Sequence, residues 1–370
     1  KSAEVKIKYF LSRSGAKHQT DSVKTKDSKF FTAKLIADEV EPGNTYSYEV
    51  YINDELVEFE HDLTFQTLEL WQWRDDPPKF SFATGSCAYI NEKEYDRPGT
   101  PYGGGYEIFQ SIYEKDPSFM LWLGDNVYLR EVDWNSRTGI MKMYTHDRSI
   151  PELQPLLSTV HNYAIWDDHD FGPNNSDRSF WNKQSALEAF KLFWGNPSFG
   201  VNGDPGITTY FEWGDAAFFL LDNRYNRSPN NRDFVEKRTI LGEEQIQWLI
   251  DALSSSRAPF KFVVMGGQFL NPVPAYETYA TYPKERAEIL KKIRKEGIEG
   301  VIFLSGDRHI TEISKLERHD TYPLYDFTIS PLTSGPASAK EEPNYLRVDG
   351  TLIEQRNFAV FTISGKRKDR

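Results

Sequence analysis

Four short motifs in this chain carry the side-chain types that bind metal ions. Together they offer five Asp carboxylates, two imidazoles, one phenol and one thiol, which is ligand material for more than one ion. Each motif lies where a predicted strand ends. In chain order the motifs are Gly85-Ser86-Cys87, Gly124-Asp125-Asn126-Val127-Tyr128, Trp166-Asp167-Asp168-His169-Asp170 and Gly306-Asp307-Arg308-His309.

Asp125 and Tyr128 indicate a strongly Lewis-acidic ion. They stand three residues apart in a loop that leaves a predicted strand, so both side chains can reach one cation. A tyrosinate ligand is rare because the phenol pKa of about 10 must be lowered, and this favours ferric iron over magnesium. The alternative interpretation is a helix cap at Asp125 beside a packed Tyr128.

Cys87 is the single cysteine of the chain, and its interpretation depends on the other motifs. A lone cysteine is usually a small buried apolar side chain. Among oxygen ligands, however, a thiolate favours a transition metal such as iron. A single cysteine also excludes an internal disulfide, which is compatible with either cytosol or periplasm.

The acidic cluster at residues 167–170 directly follows an apolar run. Adjacent carboxylates repel one another unless a cation neutralises them, so we favour metal binding here over a solvated acidic loop. Asp307 and His309 are two residues apart and face the same way if the segment is extended. Taken alone, that pair is better explained by a strand-end turn beside a packed histidine.

Two hydrophobicity patterns divide the chain into two predicted domains. Residues 1–72 alternate apolar and polar side chains between turn signals, which predicts a small N-terminal all-β sandwich. Residues 40–48 resemble the tyrosine-containing turn of fibronectin type III-like domains. Residues 80–370 alternate short apolar runs with helical stretches, which predicts a layered α/β domain. Because sites in open α/β sheets gather beyond the carboxyl ends of strands, we expect the four motifs to converge.

The elements of the larger domain follow from these runs. Strands are predicted at residues 80–84, 119–123, 163–166, 217–221, 260–265 and 301–304. Helices are predicted at residues 106–114, 183–194, 243–253 and 284–296. Residues 95–106, rich in aromatics and glycines, are predicted to form a loop over the site.

Composition narrows the class of protein. The 370 residues are 39% hydrophobic and 15% aromatic, as expected of a globular chain. The net charge of −11 argues against non-specific binding to nucleic acid or anionic membranes, so an anionic substrate needs local positive charge. No apolar run approaches the roughly 18–20 residues of a membrane span. The sequence opens at Lys1 with no visible signal peptide, which is compatible with a mature or trimmed chain.

Taken together, the motifs resemble those of binuclear metallophosphoesterases of the purple-acid-phosphatase kind. Their particular variants are similar to the PhoD-like alkaline phosphatase and phosphodiesterase family, and the leading sandwich is similar to that family's usual N-terminal domain. The resemblance therefore covers nearly the whole chain. Further matching stretches are Leu221-Asp222-Asn223-Arg224, Leu241-Gly242-Glu243-Glu244-Gln245 with Trp248, and Gly266-Gly267-Gln268.

The resemblance implies a ferric ion (Fe3+) and one or two calcium ions (Ca2+). Carried over residue by residue, the implied iron ligands are Cys87, Asp125, Tyr128 and His309. The implied calcium ligands are Asp168 and Asp307, with Asp125 bridging the two metals.

Other residues acquire expected roles from the same resemblance. His169 would sit near the leaving group of the substrate, and Arg224 matches a family arginine that is a candidate phosphate contact. The chain departs from the family between residues 170 and 175, where it is one residue longer before the paired asparagines. This leaves the roles of Asn174 and Asn175 and the number of calcium ions open. Gln268 lies where the wider superfamily places a histidine ligand, so we expect it close to the ligands.

The resemblance thus predicts a secreted or periplasmic, metal-dependent phosphoester hydrolase of the alkaline phosphatase type. Small phosphate esters would be its substrates, with a hydroxide activated by the metals attacking phosphorus. A phosphodiesterase or phospholipase D-type hydrolase of diesters is the alternative. A more remote alternative is a non-catalytic, calcium-stabilised binding protein, against which the presence of His169 in a full ligand set argues.

Overall fold

The strand-rich N-terminal region forms a sheet of six strands in the computed structural model, which describes residues 1–11, 17–232, 237–319 and 321–370. Its strands are β1 (Glu4–Leu11), β2 (Lys17–Gln19), β3 (Val23–Lys24), β4 (Thr45–Ile52), β5 (Glu55–Val57) and β6 (Thr64–Gln66). β1 and β4 pair antiparallel at its centre. The Tyr46 hydroxyl accepts a hydrogen bond from the Glu41 N–H at 2.7 Å. This is the contact that a tyrosine corner makes, in the turn where the sequence indicated one.

The rest of the chain alternates strands and helices. Its strands are β7 (Phe80–Gly85), β8 (Phe119–Leu123), β9 (His161–Ile165), β10 (Thr209–Trp213), β11 (Ala216–Leu220), β12 (Phe260–Val264), β13 (Val301–Ser305), β14 (Glu312–Leu316), β15 (Leu324–Thr328) and β16 (Ala359–Ile363). Its helices are α1 (Glu107–Tyr113), α2 (Glu131–Trp134), α3 (Arg137–Asp147), α4 (Gln154–Thr159), α5 (Asp168–Phe171), α6 (Lys183–Phe193), α7 (Glu243–Ser255) and α8 (Pro283–Lys295).

These strands form two mixed sheets. The first has the order β16-β7-β8-β9, with β16 antiparallel to β7 and the other three strands parallel. The second has the order β10-β11-β12-β13-β15-β14, with the four central strands parallel and each outer strand antiparallel. The predicted α/β class is confirmed, and the predicted strands and helices match observed elements within two residues at each end.

The two sheets pack face to face, and aromatic rings fill the space between them. The Phe82 ring of β7 lies 5.3 Å, between centroids, from both Phe218 of β11 and Phe262 of β12. The outer faces are covered by helices: α1 and α6 on the first sheet, and α7 and α8 on the second. This stacking of helices, two sheets and helices buries two apolar clusters, one between the sheets and around the first sheet and the other between the second sheet and its helices. Both clusters hold the strand ends that carry the motifs in place.

The N-terminal sheet rests against α4 and the start of β9. The His61 ring is hydrogen bonded to Ser158 Oγ at 2.7 Å, and the His161 ring to the Gln66 carbonyl at 2.8 Å. The division into domains at residues 1–72 and 80–370 stays a prediction. Within the described ranges, no helix has both the length and the apolar character needed to cross a membrane.

Candidate metal centre

The four predicted motifs meet at the carboxyl ends of β7, β8, β9 and β13. Two of their glycines make this close approach possible. A Cβ at Gly124, where φ is 93°, would lie 2.7 Å from the Cβ of Asp167. A Cβ at Gly306 would lie 2.6 Å from the Ser86 Oγ. Since real Cβ atoms do not approach other atoms so closely, larger residues at these positions would push the loops apart.

Four of the predicted ligands have a left-handed backbone conformation. Their φ angles are 61° at Cys87, 50° at Asp125, 66° at Asp307 and 55° at His309. This conformation costs a residue with a side chain about 1–2 kcal/mol. Such strain persists where the surroundings enforce it, and it is concentrated at functional sites.

One side of the site gathers a thiol, a carboxylate, a phenol and an imidazole. The Tyr128 hydroxyl lies 3.4 Å from Asp125 Oδ2 and 3.3 Å from His309 Nε2. The Cys87 Sγ lies 3.7 Å from the same Asp125 oxygen. The other ring nitrogen of His309, Nδ1, is hydrogen bonded to the Gly335 carbonyl at 2.6 Å, which turns Nε2 towards Tyr128. This mixture of sulfur, nitrogen and oxygen donors suits a transition metal.

The other side of the site is acidic. Asp125, Asp168 and His169 each offer a ligand atom within 4.8 Å of the others, and so do Asp167, Asp168 and Asp307. The His169 N–H links two of these carboxylates, donating to Asp125 Oδ1 at 3.2 Å and to Asp168 Oδ1 at 3.0 Å. A cluster of carboxylate oxygens suits a hard cation such as calcium.

Burial and mutual repulsion control the ionisation of this cluster. Burial raises the pKa of Asp125 well above its usual value, and the charge of Asp168 raises it further. Burial and the charge of Asp167 do the same to the pKa of Asp307. The pKa of Asp168 is instead lowered: burial raises it, but the Arg224 guanidinium, the neighbouring His169 and the hydrogen bond from the Asn175 N–H together outweigh burial. Asp125 and Asp307 therefore favour their protonated forms unless cations replace the protons, so the donor set fits bound metal ions.

Cys87 and Tyr128 also favour their neutral forms in the protein alone. Burial raises the pKa of the Cys87 thiol to about 12 and the pKa of Tyr128 well above its usual value. Both groups would therefore become ligands only by losing a proton to a strongly Lewis-acidic ion. Ferric iron meets that requirement better than calcium does.

His169 lies at the border of the two sides. Its ring stacks on the Tyr128 ring with 4.4 Å between centroids. Its backbone N–H is fixed by the two carboxylates described above, which leaves the ring as the part of the residue available for chemistry. The assignment of His169 as the catalytic residue stays a prediction.

Arg224 is placed behind the acidic side. Its side chain is only 1% exposed. Its guanidinium is hydrogen bonded to Asp167 and, at 2.8 Å, to Glu277, and it donates to the Ser176 carbonyl at 3.2 Å. These contacts fix the carboxylate of Asp167, whereas the expected contact of Arg224 with phosphate stays a prediction.

Gln268 contacts residues of the second sheet, and Asn175 contacts one of the predicted ligands. The Gln268 side-chain amide donates to Glu312 at 2.6 Å and to Thr328 at 2.9 Å, so its nitrogen is turned to the core of the second sheet. The Asn175 N–H donates to Asp168 Oδ2 at 2.6 Å, so the lengthened segment reaches one of the predicted ligands.

Two functional candidates were not among the predicted ligands or catalytic residues. Asp167 is fully buried, and within the described chain its Oδ2 has no hydrogen-bond partner. Asp170 accepts hydrogen bonds from backbone N–H groups of two loops. Both lie in the acidic cluster that the sequence singled out, but their separate contacts depend on loops distant in the chain.

The chain is similar to known phosphatases in sequence and in fold. A family model described as PhoD-like phosphatase matches residues 82–363. The chain is 23% identical over 341 residues to an alkaline phosphatase D of Bacillus subtilis (strain 168), covering 79% of this chain and 55% of that protein. It thus spans little more than half the length of this curated relative.

Two solved structures share the fold. A structure of PhoD superposes with a TM-score of 0.80 at 19% identity, covering 98% of this chain and 78% of that one. A purple acid phosphatase from yellow lupin (Lupinus luteus) seeds superposes with a TM-score of 0.68 at 12% identity, covering 98% of this chain and 65% of that one.

Proposed function

Because the chain belongs to the PhoD-like phosphatase family, we propose that it is a metal-dependent hydrolase of phosphate esters, of the alkaline phosphatase type. One observation carries the proposal. A thiol, a phenol, an imidazole and several carboxylates converge at four strand ends, and four of them are held on a strained, left-handed backbone. Such strain is costly and is expected where a ligand set must be held in a fixed arrangement.

We propose that two kinds of cation bind there. Fe3+ would be held by Cys87, Asp125, Tyr128 and His309, and the raised pKa values of the thiol and phenol support an ion of high charge. Ca2+ would be held by Asp168 and Asp307, with Asp125 shared between the two sites. The unpartnered Oδ2 of the buried Asp167 supports its addition to the calcium side.

The residues of the chain would then divide the catalytic work. The bound cations supply Lewis acidity, neutralising charge on phosphoryl oxygens and lowering the pKa of water. The His169 N–H is hydrogen bonded to both Asp125 and Asp168, and this holds the two sides of the site at a fixed distance from each other. The His169 ring, held against Tyr128, would donate a proton to the oxygen of the leaving group.

Metal analysis and colour together test the proposal. The purified protein should contain iron and calcium and absorb visible light, because ferric thiolate and tyrosinate are coloured. Chelation should abolish hydrolysis of an aryl phosphate, and both ions together should restore it. Tyr128→Phe should shift or remove the absorption, whereas the matched control Tyr345→Phe, at an exposed tyrosine, should not. A colourless, iron-free but active protein would contradict the assignment of the iron ligands.

The ester class is part of the proposal. We propose that monoesters are preferred over diesters, and rates with an aryl phosphate and a bis-aryl phosphate decide between them. A faster rate with the diester would favour the phosphodiesterase alternative.

We further propose that the protein acts outside the cytoplasm, secreted or in the periplasm, on the basis of its family. Fractionation of cells that produce the full-length natural protein tests this directly. Recovery in the cytoplasmic fraction alone would contradict it.

A further inference from the structure

A row of aromatic rings runs from the metal centre to the surface. The His169 ring stacks on Tyr128, the Tyr128 ring lies 5.0 Å from that of Tyr89, and the Tyr89 ring lies 5.4 Å from that of Tyr102. We call Tyr128, Tyr89 and Tyr102 the tyrosine row. Exposure rises along it: Tyr128 and Tyr89 are partly buried, and Tyr102 is 44% exposed.

The inner part of the row is fixed by polar contacts. The Tyr89 hydroxyl donates to Asp96 Oδ1 at 2.8 Å, and Asp96 is in turn paired with Arg130 at 3.4 Å. The Tyr102 N–H donates to Asn91 Oδ1 at 3.3 Å, which ties the outer loop to the same segment. Tyr89 therefore presents a positioned ring between the metal centre and Tyr102.

Tyr102 lies beside the metal centre, and part of its ring stays exposed. A Cβ added to Gly335 would lie 3.8 Å from the Tyr102 ring, and the Gly335 carbonyl is the group that orients His309. Within the described residues no hydrogen bond reaches the Tyr102 hydroxyl. A half-exposed ring on a fixed loop contributes little to the core, but it is placed where it can contact a molecule bound at the centre.

We propose that Tyr102, supported by Tyr89, binds the leaving group of the substrate and selects phosphate esters whose leaving group carries an aromatic ring. The inference rests on the proposed hydrolase function and specifies its substrate class. The row starts at His169, the residue proposed to protonate the departing oxygen. A leaving group directed from phosphorus along the row would meet its rings, and aromatic rings associate favourably face to edge or offset.

The test compares two monoesters that differ in the ring alone. Benzyl phosphate and ethyl phosphate both release a primary alcohol, so the chemical step is closely matched. With the metal-loaded enzyme, we expect a lower KM for the benzyl ester. Tyr102→Ala should raise that KM about 3- to 10-fold and leave the KM of the ethyl ester unchanged, and Tyr102→Phe should behave as the wild type does. Calorimetric binding of benzylphosphonate and ethylphosphonate should show the same difference without turnover.

Controls separate selectivity from damage to the fold. Trp73 is 97% exposed and precedes the start of β7, at the end of that strand opposite Cys87, so Trp73→Ala should leave both KM values unchanged. Thermal melting should show Tyr102→Ala folded. If the wild type hydrolyses both esters and Tyr102→Ala changes their KM values equally or not at all, this inference alone fails. If the loaded wild type hydrolyses neither these esters nor an aryl phosphate, the proposed function fails with it. If it hydrolyses an aryl phosphate alone, equal binding of the two phosphonates overturns this inference and tighter binding of benzylphosphonate supports it.

Discussion

Asp170 holds the backbone of Asn126, the residue that follows the proposed ligand Asp125. Its Oδ1 accepts hydrogen bonds from the Asn126 N–H at 3.0 Å and from the Asn126 side-chain amide at 3.1 Å. Its Oδ2 accepts one from the Asp167 N–H at 3.0 Å. A single buried carboxylate thus joins the two loops that supply most of the carboxylates of the metal centre.

Asp170→Asn should loosen both loops. In asparagine an NH₂ group replaces one of the two acceptor oxygens of Asp170. That NH₂ group would face a backbone N–H, so buried donors would be left without an acceptor. We expect a loss of about 1–3 kcal/mol in the free energy of unfolding and a lower content of iron and calcium per chain. Metal analysis and denaturant unfolding measure both. The control is Asp251→Asn on the exposed face of α7. Full metal content in Asp170→Asn would contradict the role given to this carboxylate.

His169→Ala separates proton donation from metal binding. The backbone N–H that joins Asp125 to Asp168 is retained in alanine, so the metal content should not change. The kcat for an alkyl phosphate should fall about 10²- to 10⁴-fold, because the poor leaving group needs a proton. An aryl phosphate with a strongly acidic phenol should lose much less.

The matched control for that variant is His18→Ala in the N-terminal sheet, which should leave both rates unchanged. Equal losses for the alkyl and aryl esters would argue against His169 as the proton donor. Loss of metal from His169→Ala would instead assign it a ligand role.

The sequence predicted the strands and the convergence of motifs because both are local or topological properties. β8, for example, is five buried apolar residues in a row, and such a run is readable without knowing its neighbours. The motifs then follow from the rule that parallel strands deliver their carboxyl ends to one edge. Cys87 and His309 could be placed together on this basis although more than two hundred residues separate them.

What the sequence did not predict depends on pairing between distant segments. β16 lies at the edge of the first sheet beside β7, and the types of its five residues do not indicate which strand it pairs with. The Gly335 carbonyl that orients His309 comes from a loop without a motif of its own. The Asn223 amide that binds Asp167 at 2.8 Å lies in a stretch that resembles the family, but that resemblance assigned it no contact. These groups orient the His309 ring and the Asp167 carboxylate, and residue types alone do not predict such orientations.

The metal-free protein should become less stable as pH rises, and Asp125→Asn should remove part of this dependence. Burial and the charge of Asp168 raise the pKa of Asp125 in the folded state above its value of about 3.9 in the unfolded chain. The folded state therefore binds the proton more tightly. The resulting stability is present below pH 4 or so and is lost as pH rises through the folded pKa.

Urea unfolding in the presence of chelator measures this effect. At pH 8 the metal-free Asp125→Asn variant should be more stable than the metal-free wild type by about 1 kcal/mol or more, and near pH 4 the two should be equal. With iron and calcium present the order should reverse, because the wild type alone retains its full ligand set. A metal-free wild type that is as stable as the variant at pH 8 would show that the carboxylate is not under this strain.

Gly124→Ala tests whether the close approach of two loops is needed for the metal centre. At φ 93° the new Cβ would be 2.7 Å from the Cβ of Asp167 and 3.0 Å from its backbone nitrogen. Gly203 is the matched control, since its φ is 80° and a Cβ there would have no atom within 4 Å. Gly203→Ala should therefore cost only the left-handed conformation, about 1–2 kcal/mol. Gly124→Ala should cost a further 1–3 kcal/mol or so from overpacking and should lose metal, as measured by urea unfolding and metal analysis. Equal costs with full metal content would show that the loops can separate without harm to the site.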